Sequence, residues 1–267
     1  MSVRAVTIAP PTLGQTVRYG FSDALTMTWR NLVKYLRLPT LLVFSTVQPV
    51  MFVLLFAYVF GGAIRTPGGN YIDFLMPGIL VQTVIFGSGQ TGIGLADDLS
   101  QGMIDRFRSL PMARSAVLIG RVLADTSRNL FVVLLMTGVG YIIGFRFHNG
   151  IAAAILALVI VIAFGSLFCL ISAFIGLSVR NVETAQVAGF IWVFPLVFAS
   201  SIFVPVSTMP SWLQAFAKVS PITVTVDAVR HLALGVGTLD LLPPALWMAG
   251  ILLVFVPLAV RRYRSIT

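Results

Sequence analysis

Ile151-Ala-Ala-Ala-Ile-Leu-Ala-Leu-Val-Ile-Val-Ile-Ala-Phe-Gly-Ser-Leu-Phe-Cys-Leu-Ile-Ser-Ala-Phe-Ile-Gly-Leu-Ser178 contains no charged residue from end to end. A helix needs about 20 predominantly apolar residues to cross ~30 Å of hydrocarbon, so this stretch can span a bilayer. It lacks the period-two alternation of an outer-membrane strand, and a helix satisfies its backbone hydrogen bonds internally where water is absent. Similar stretches lie near 40–62, 71–95, 118–145, 185–206 and 243–260. Composition agrees: 58% hydrophobic residues, 10% charged residues and a mean hydropathy of +0.97 lie far outside the soluble globular range. The expectation is an all-α integral membrane protein with six transmembrane helices. Residues 1–39 would form a tail and an interfacial amphipathic helix, and residues 40–267 one six-span domain.

An even number of spans puts both termini on one side, and basic residues mark that side as cytoplasmic. Arg4, Arg18, Arg30, Lys34 and Arg37 precede the first span, and Arg106, Arg108, Arg114, Arg121 and Arg128 lie between or near spans two and three. Arg180, Arg261, Arg262 and Arg264 complete fourteen of the 18 basic residues. Topology and attraction to anionic membrane lipid therefore explain most of the +9 net charge, without nucleic acid. The expected location is the plasma or inner membrane. The first apolar run is long enough to stay as an uncleaved anchor. Cys169, the only cysteine, lies in the fourth span, so neither an internal disulfide nor a cysteine metal cluster is expected.

Ahead of the first span, Val17, Phe21, Ala24, Leu25, Thr28, Leu32 and Leu36 recur at helical spacing, opposite Arg18, Ser22, Thr26, Arg30, Lys34 and Arg37. This predicts an interfacial helix with Trp29 and Tyr35 as membrane anchors, serving as a simple anchor or as a lever on the first span. Between the second and third spans, segment 97–114 is too polar for hydrocarbon. Leu99, Met103, Phe107 and Leu110 form one stripe, charges cover the rest, and Pro111 stops the helix. It reads either as a solvated loop or as a docking element whose ridge fits a partner's groove. Arg121, Asp125 and Arg128 share one face of the third span as it leaves the membrane, an arrangement suited to ion pairing.

The outer stretch 205–237 is apolar but broken by Pro205, Pro210 and Pro221, and carries Trp212. Short re-entrant helices between spans five and six are expected here, since non-helical backbone at membrane depth needs protein or water around it. Pro205, Trp212, Pro221, Asp227 and Arg230 would form an external gate, or Asp227 and Arg230 would be an ordinary helix-surface pair.

Enzyme chemistries lack their residues. A zinc protease needs His-Glu-x-x-His, and the only histidines, His148 and His231, are far apart. A P-loop needs Gly-Lys followed by Ser or Thr, whereas Lys34 and Lys218 precede Tyr35 and Val219. Ion coupling usually requires an ionisable residue within a span, and the six span centres have none. Gln48, Gln82, Thr83, Ser88, Gln90 and Thr91 could pack helices together or line a cavity. A transporter without its own ion relay or nucleotide site needs an external motor. An ion-coupled secondary transporter or an intramembrane enzyme is the alternative class.

Segment 97–114 resembles the cytoplasmic coupling segment of type-two ABC exporter permeases, in the daunorubicin-resistance and nodulation-factor branch. The likeness extends through Gln48-Pro49, Phe74-Leu-Met-Pro-Gly78, Arg180-Asn181 and Ser220-Pro-Ile-Thr. The resemblance implies a permease domain that pairs with a second copy or a homologous permease and with a separate ABC ATP-binding subunit. ATP and Mg would sit on that subunit, and no cofactor on this chain. It implies that Gly102, Asp105, Arg106, Phe107, Arg108, Leu110, Pro111 and Arg114 couple to the ATPase. It further implies a substrate path between permeases, with Gln48, Gln82, Gln90, Phe194 and Phe198 as candidates, and export of a hydrophobic drug, antibiotic or lipid-like molecule.

Overall fold

A computed structural model describes residues 13–37, 39–62, 64, 70–103, 114–179 and 181–265. Among them there is no strand. In chain order the helices are α1 (Leu13–Arg37), α2 (Pro39–Leu54), α3 (Tyr71–Ser100), α4 (Arg114–Ile142), α5 (Gly150–Ser178), α6 (Val182–Phe198), α7 (Ser211–Val219), α8 (Pro221–Leu234) and α9 (Leu242–Ser265). Helices occupy all six places where apolar stretches were found. Four, in α3, α4, α5 and α9, are long and apolar enough to cross a membrane. The other two apolar helices, Ser45–Phe60 and Val182–Phe198, are shorter. Pro49 removes an N–H inside α2, and the helix loosens into a π-turn over Leu55–Phe60.

Helix α3 is the hub, packed against α4, α5 and α6 and buried along most of its length. Its crossing with α5 is close because glycines remove side chains from the contact. A Cβ on Gly176 would overlap the Gly92 carbonyl, and one on Gly92 would overlap the Ser172 carbonyl. Ser88 Oγ meets Ser172 Oγ at 3.5 Å in the same seam. In an apolar solvent, such close backbone approach supplies dispersion contact that hydrophobic burial cannot.

Helix α1 corrects one sequence expectation. Ala24, Met27, Thr28, Asn31 and Tyr35 are buried, and α1 packs along α4, whose Gly120 admits Met27. Tyr35 is thus held within the protein instead of anchoring at the membrane interface. Leu25 and Trp29 lie on the exposed side at 58% and 65% exposure, so the predicted apolar stripe is divided between protein and surroundings. The outer stretch holds a short 3-10 turn, Val206–Thr208, then α7 and α8. Helix α8 buries Ile222, Val226 and Val229 and closes at Gly235, whose φ of +73° suits glycine.

Replacing Gly176 by valine is expected to separate α3 from α5 and abolish recovery of folded protein in detergent. Gly138→Ala, where a Cβ meets nothing within 4 Å, should behave as wild type. Size-exclusion profile and thermal melting read both.

Candidate functional site

Near the end of the bundle where α3 closes and α4 opens, three helices are fastened through one carboxylate. Asp125 of α4 is 0% exposed. It accepts from Thr91 Oγ1 of α3 at 2.6 Å, from Arg121 Nε at 3.2 Å and from the Tyr35 hydroxyl of α1. Arg128 Nη1 stands 3.8 Å away. Burial first, and then the negative charge of Asp125, push the Tyr35 phenol well above its ordinary pKa, so it stays a protonated donor. Two guanidiniums against one carboxylate leave a surplus positive charge, which backbone dipoles offset. Arg121 Nη2 donates to Gln90 O at 3.1 Å and Arg128 Nη2 to Gly87 O at 2.5 Å, both on α3. Glycine makes room, since a Cβ at Gly94 would overlap the Arg121 guanidinium.

Arg121 and Arg128 thus make the ion pairs with Asp125 that their spacing suggested, and they make them buried. They lie inside a junction of α1, α3 and α4. From Asp125, α4 continues to Ile142, about 25 Å at ~1.5 Å per residue. Towards the α3 terminus, Arg30 pairs with Asp98 at 3.3 Å and Lys34 with Asp97 at 3.4 Å. These are partly exposed pairs, of the kind worth about 0–1 kcal/mol.

The coupling segment is only partly described. Gly102 sits in the turn that ends α3, with φ +66°, its N–H bonded to Leu99 O at 3.1 Å. Arg114 opens α4. Asp105, Arg106, Phe107, Arg108, Leu110 and Pro111 lie outside the described residues.

Of the candidate path residues, Gln48 and Gln90 come together. With Gln186 they line a groove of about 80 Å³ between α2, α3 and α6, where the rings of Phe86 and Phe190 lie 6.1 Å apart. An open trough of about 440 Å³ adjoins it along α6, lined by Gln186, Phe190, Phe194 and Pro195. Phe198 packs tilted against Phe194 at 4.4 Å and stacks on Phe203 at 5.1 Å. Gln82 is not in the groove: it is 2% exposed within the core, and its Oε1 has no hydrogen-bond partner among the described residues. Sequence reasoning missed Gln186 and Phe190. Their i, i+4 spacing on α6 was visible, but their relation to α3 was not.

At the opposite end of the bundle, Arg230 bonds Asp227 at 2.7 Å, Ser201 O at 2.8 Å and Phe74 O at 3.2 Å, and lies 3.8 Å over the Phe74 ring. Ser201 Oγ donates to Asp227 at 2.9 Å. The pair thus ties α8 to the start of α3 and to the connection after α6, a tertiary fastening and not a helix-surface pair alone. Pro221 opens α8 and Pro205 is buried beside the 3-10 turn. Trp212, at 72% exposure on α7, takes no part in the fastening.

A family profile described as ABC-2 type transporter matches residues 23–234. The chain is similar to a daunorubicin resistance ABC transporter permease protein of Streptomyces coeruleorubidus, 36% identical over 247 residues, covering 91% of this chain and 87% of the relative. It is also similar to a "Probable doxorubicin resistance ABC transporter permease protein" of Mycobacterium tuberculosis, 28% identical over 252 residues, covering 92% of this chain and 90% of the relative.

Removing the carboxylate should leave two buried guanidiniums uncompensated. Asp125→Ala is expected to lose on the order of 3–5 kcal/mol of stability, and the Arg121→Met, Asp125→Leu, Arg128→Met triple variant to recover most of it. Thermal melting of the purified chain checks both, and an Asp125→Ala variant that melts like wild type would refute the network's structural weight.

Proposed function

The chain belongs to the ABC-2 type transporter family, and from that premise we propose that it is the membrane permease of an ATP-driven exporter that moves a hydrophobic drug, antibiotic or lipid-like molecule out of the cytoplasm or inner leaflet. The energy source is ATP, bound with Mg on a separate cytoplasmic subunit. A second permease, identical or homologous, completes the path. In this reading the chain makes six crossings, with α2 and α6 as the shorter two and both termini cytoplasmic. Helices α7 and α8 enter the outer leaflet from outside without crossing it, and the Arg230 fastening closes the outer end of the path.

The observation that carries the reading is the junction at Asp125. The inner ends of α3 and α4 flank segment 104–113, and α1 is bonded to both helices, through Asp97 and Asp98 on α3 and Asp125 on α4. Force applied to the segment by a closing ATPase is therefore shared among three helices. Arg121 and Arg128 grip the carbonyls of Gln90 and Gly87, while the Gln90 side chain lines the groove. The same stretch of α3 thus joins the ATPase end to the groove wall. ATP would bias two arrangements of the bundle, and only differential contact between segment and motor can achieve that. The ion-coupled alternative is disfavoured because Asp125, between two guanidiniums and two hydroxyl donors, is poorly placed to carry a proton.

Charge reversal at Arg106 and Arg108 tests the coupling assignment in cells co-expressing the ATP-binding subunit. The folded yield should match wild type while drug efflux falls to the level of an ATPase-dead control. Unchanged efflux at equal expression would remove these arginines from coupling, and efflux persisting without any ATP-binding subunit would overturn the exporter reading.

A further inference from the structure

We propose that Gly89 and Gly189 are the size-determining residues where the groove between α3 and α6 meets the open trough along α6, keeping the combined site wide enough for a flat, apolar-bodied molecule. This rests on the reading of that groove as substrate path. At Gly87, Gly92, Gly94 and Gly176 an added Cβ would run into a neighbouring helix, so packing alone accounts for them. At Gly89 and Gly189 a Cβ would meet nothing within 4 Å. Neither position is required by packing, and a helix-interior glycine costs about 1 kcal/mol relative to alanine.

Three other helix glycines also face open space: Gly138 and Gly250 are exposed on α4 and α9, and Gly150, exposed at the start of α5, has a φ of +84° that itself calls for glycine. Gly89 and Gly189 differ in being partly buried and in lining the same groove from different helices. Phe86 lies one turn before Gly89, and Phe190 directly follows Gly189. The glycines therefore flank the aromatic pair and leave bare backbone where side chains would narrow the gap.

The rest of the lining states the chemistry of the guest. Gln48, Gln90 and Gln186 offer amide donors and acceptors, the phenylalanines offer ring faces, and no lining residue is charged. Such a surface suits an extended apolar or aromatic body carrying carbonyl or hydroxyl groups. A charged group on the guest would find no counter-ion here and would stay outside the groove. Bare glycine backbone could instead seat a second copy of this chain, and the groove favours the guest because both glycines are recessed beside the aromatic pair. The experiment separates these two uses.

The test uses the full permease reconstituted with its ATP-binding subunit, comparing wild type with Gly89→Ala, Gly189→Ala and the double variant, and Gly138→Ala as control. ATPase stimulation is titrated with daunorubicin and with the much smaller 1-naphthol. The expected result is a rise of about tenfold in the half-stimulating concentration of daunorubicin, against about twofold or less for 1-naphthol. Melting temperature should be equal or higher and the permease dimer intact. Equal shifts for both compounds, no shift for either, or loss of the dimer would overturn the proposal while leaving the exporter reading in place. If neither compound stimulates the wild type, the substrate-path reading fails first and the glycine proposal falls with it.

Discussion

The burial of one carboxylate between two arginines constrains the half of this protein where α1, α3 and α4 meet. A charge removed from water must find partners or be expelled, and Asp125 finds them on three helices. Once Arg121 and Arg128 are inside, each needs acceptors beyond that carboxylate, and the carbonyls of Gln90 and Gly87 supply them. Helix α1, amphipathic and outside the main bundle by sequence, is drawn against α4 because Tyr35 completes the set. The arrangement is costly to assemble and costlier to open, which suits a part that carries load.

Helix α3 then serves two faces. One takes the arginines and the close crossing with α5, where glycine and serine replace bulk. The other lines the groove shared with α6. Glycine is placed differently on the two: where helices touch it removes a clash, and where they part it leaves space. Hydrocarbon surroundings explain the first use, since helix association there depends on close contact and polar bonds more than on exclusion of water. The groove explains the second. Gln82, buried on α3 with an unpaired oxygen, belongs to neither use.

Much of this was legible in the chain. Long uncharged runs locate the helices because hydrocarbon admits few alternatives. Periodicity also identified the face shared by Arg121, Asp125 and Arg128. It could not say what covers that face: the partners, Tyr35 and Thr91, lie 90 and 34 residues away in sequence. For the same reason Tyr35 read as a membrane anchor, since an aromatic residue near a span end looks alike whether lipid or protein receives it. Gln48 and Gln90 were recognised as polar residues in apolar runs, but Gln186 gained meaning only from the antiparallel approach of α6 to α3. Asp227 and Arg230 showed an i, i+3 pair, while the carbonyls of Phe74 and Ser201 that hold it could not be seen from one helix.

In the coupling proposed above, a closing ATPase would move α1, α3 and α4 as one body around Asp125, against α6. Pulsed electron-spin distance measurements on the reconstituted complex test this most directly, with labels at Leu25→Cys and Leu123→Cys for α1 and α4, and at Leu123→Cys and Val187→Cys for α4 and α6. The account predicts an α1–α4 distance that is the same with and without bound ATP, and an α4–α6 distance that changes. An α1–α4 distance that shifts with nucleotide while α4–α6 stays fixed would contradict it.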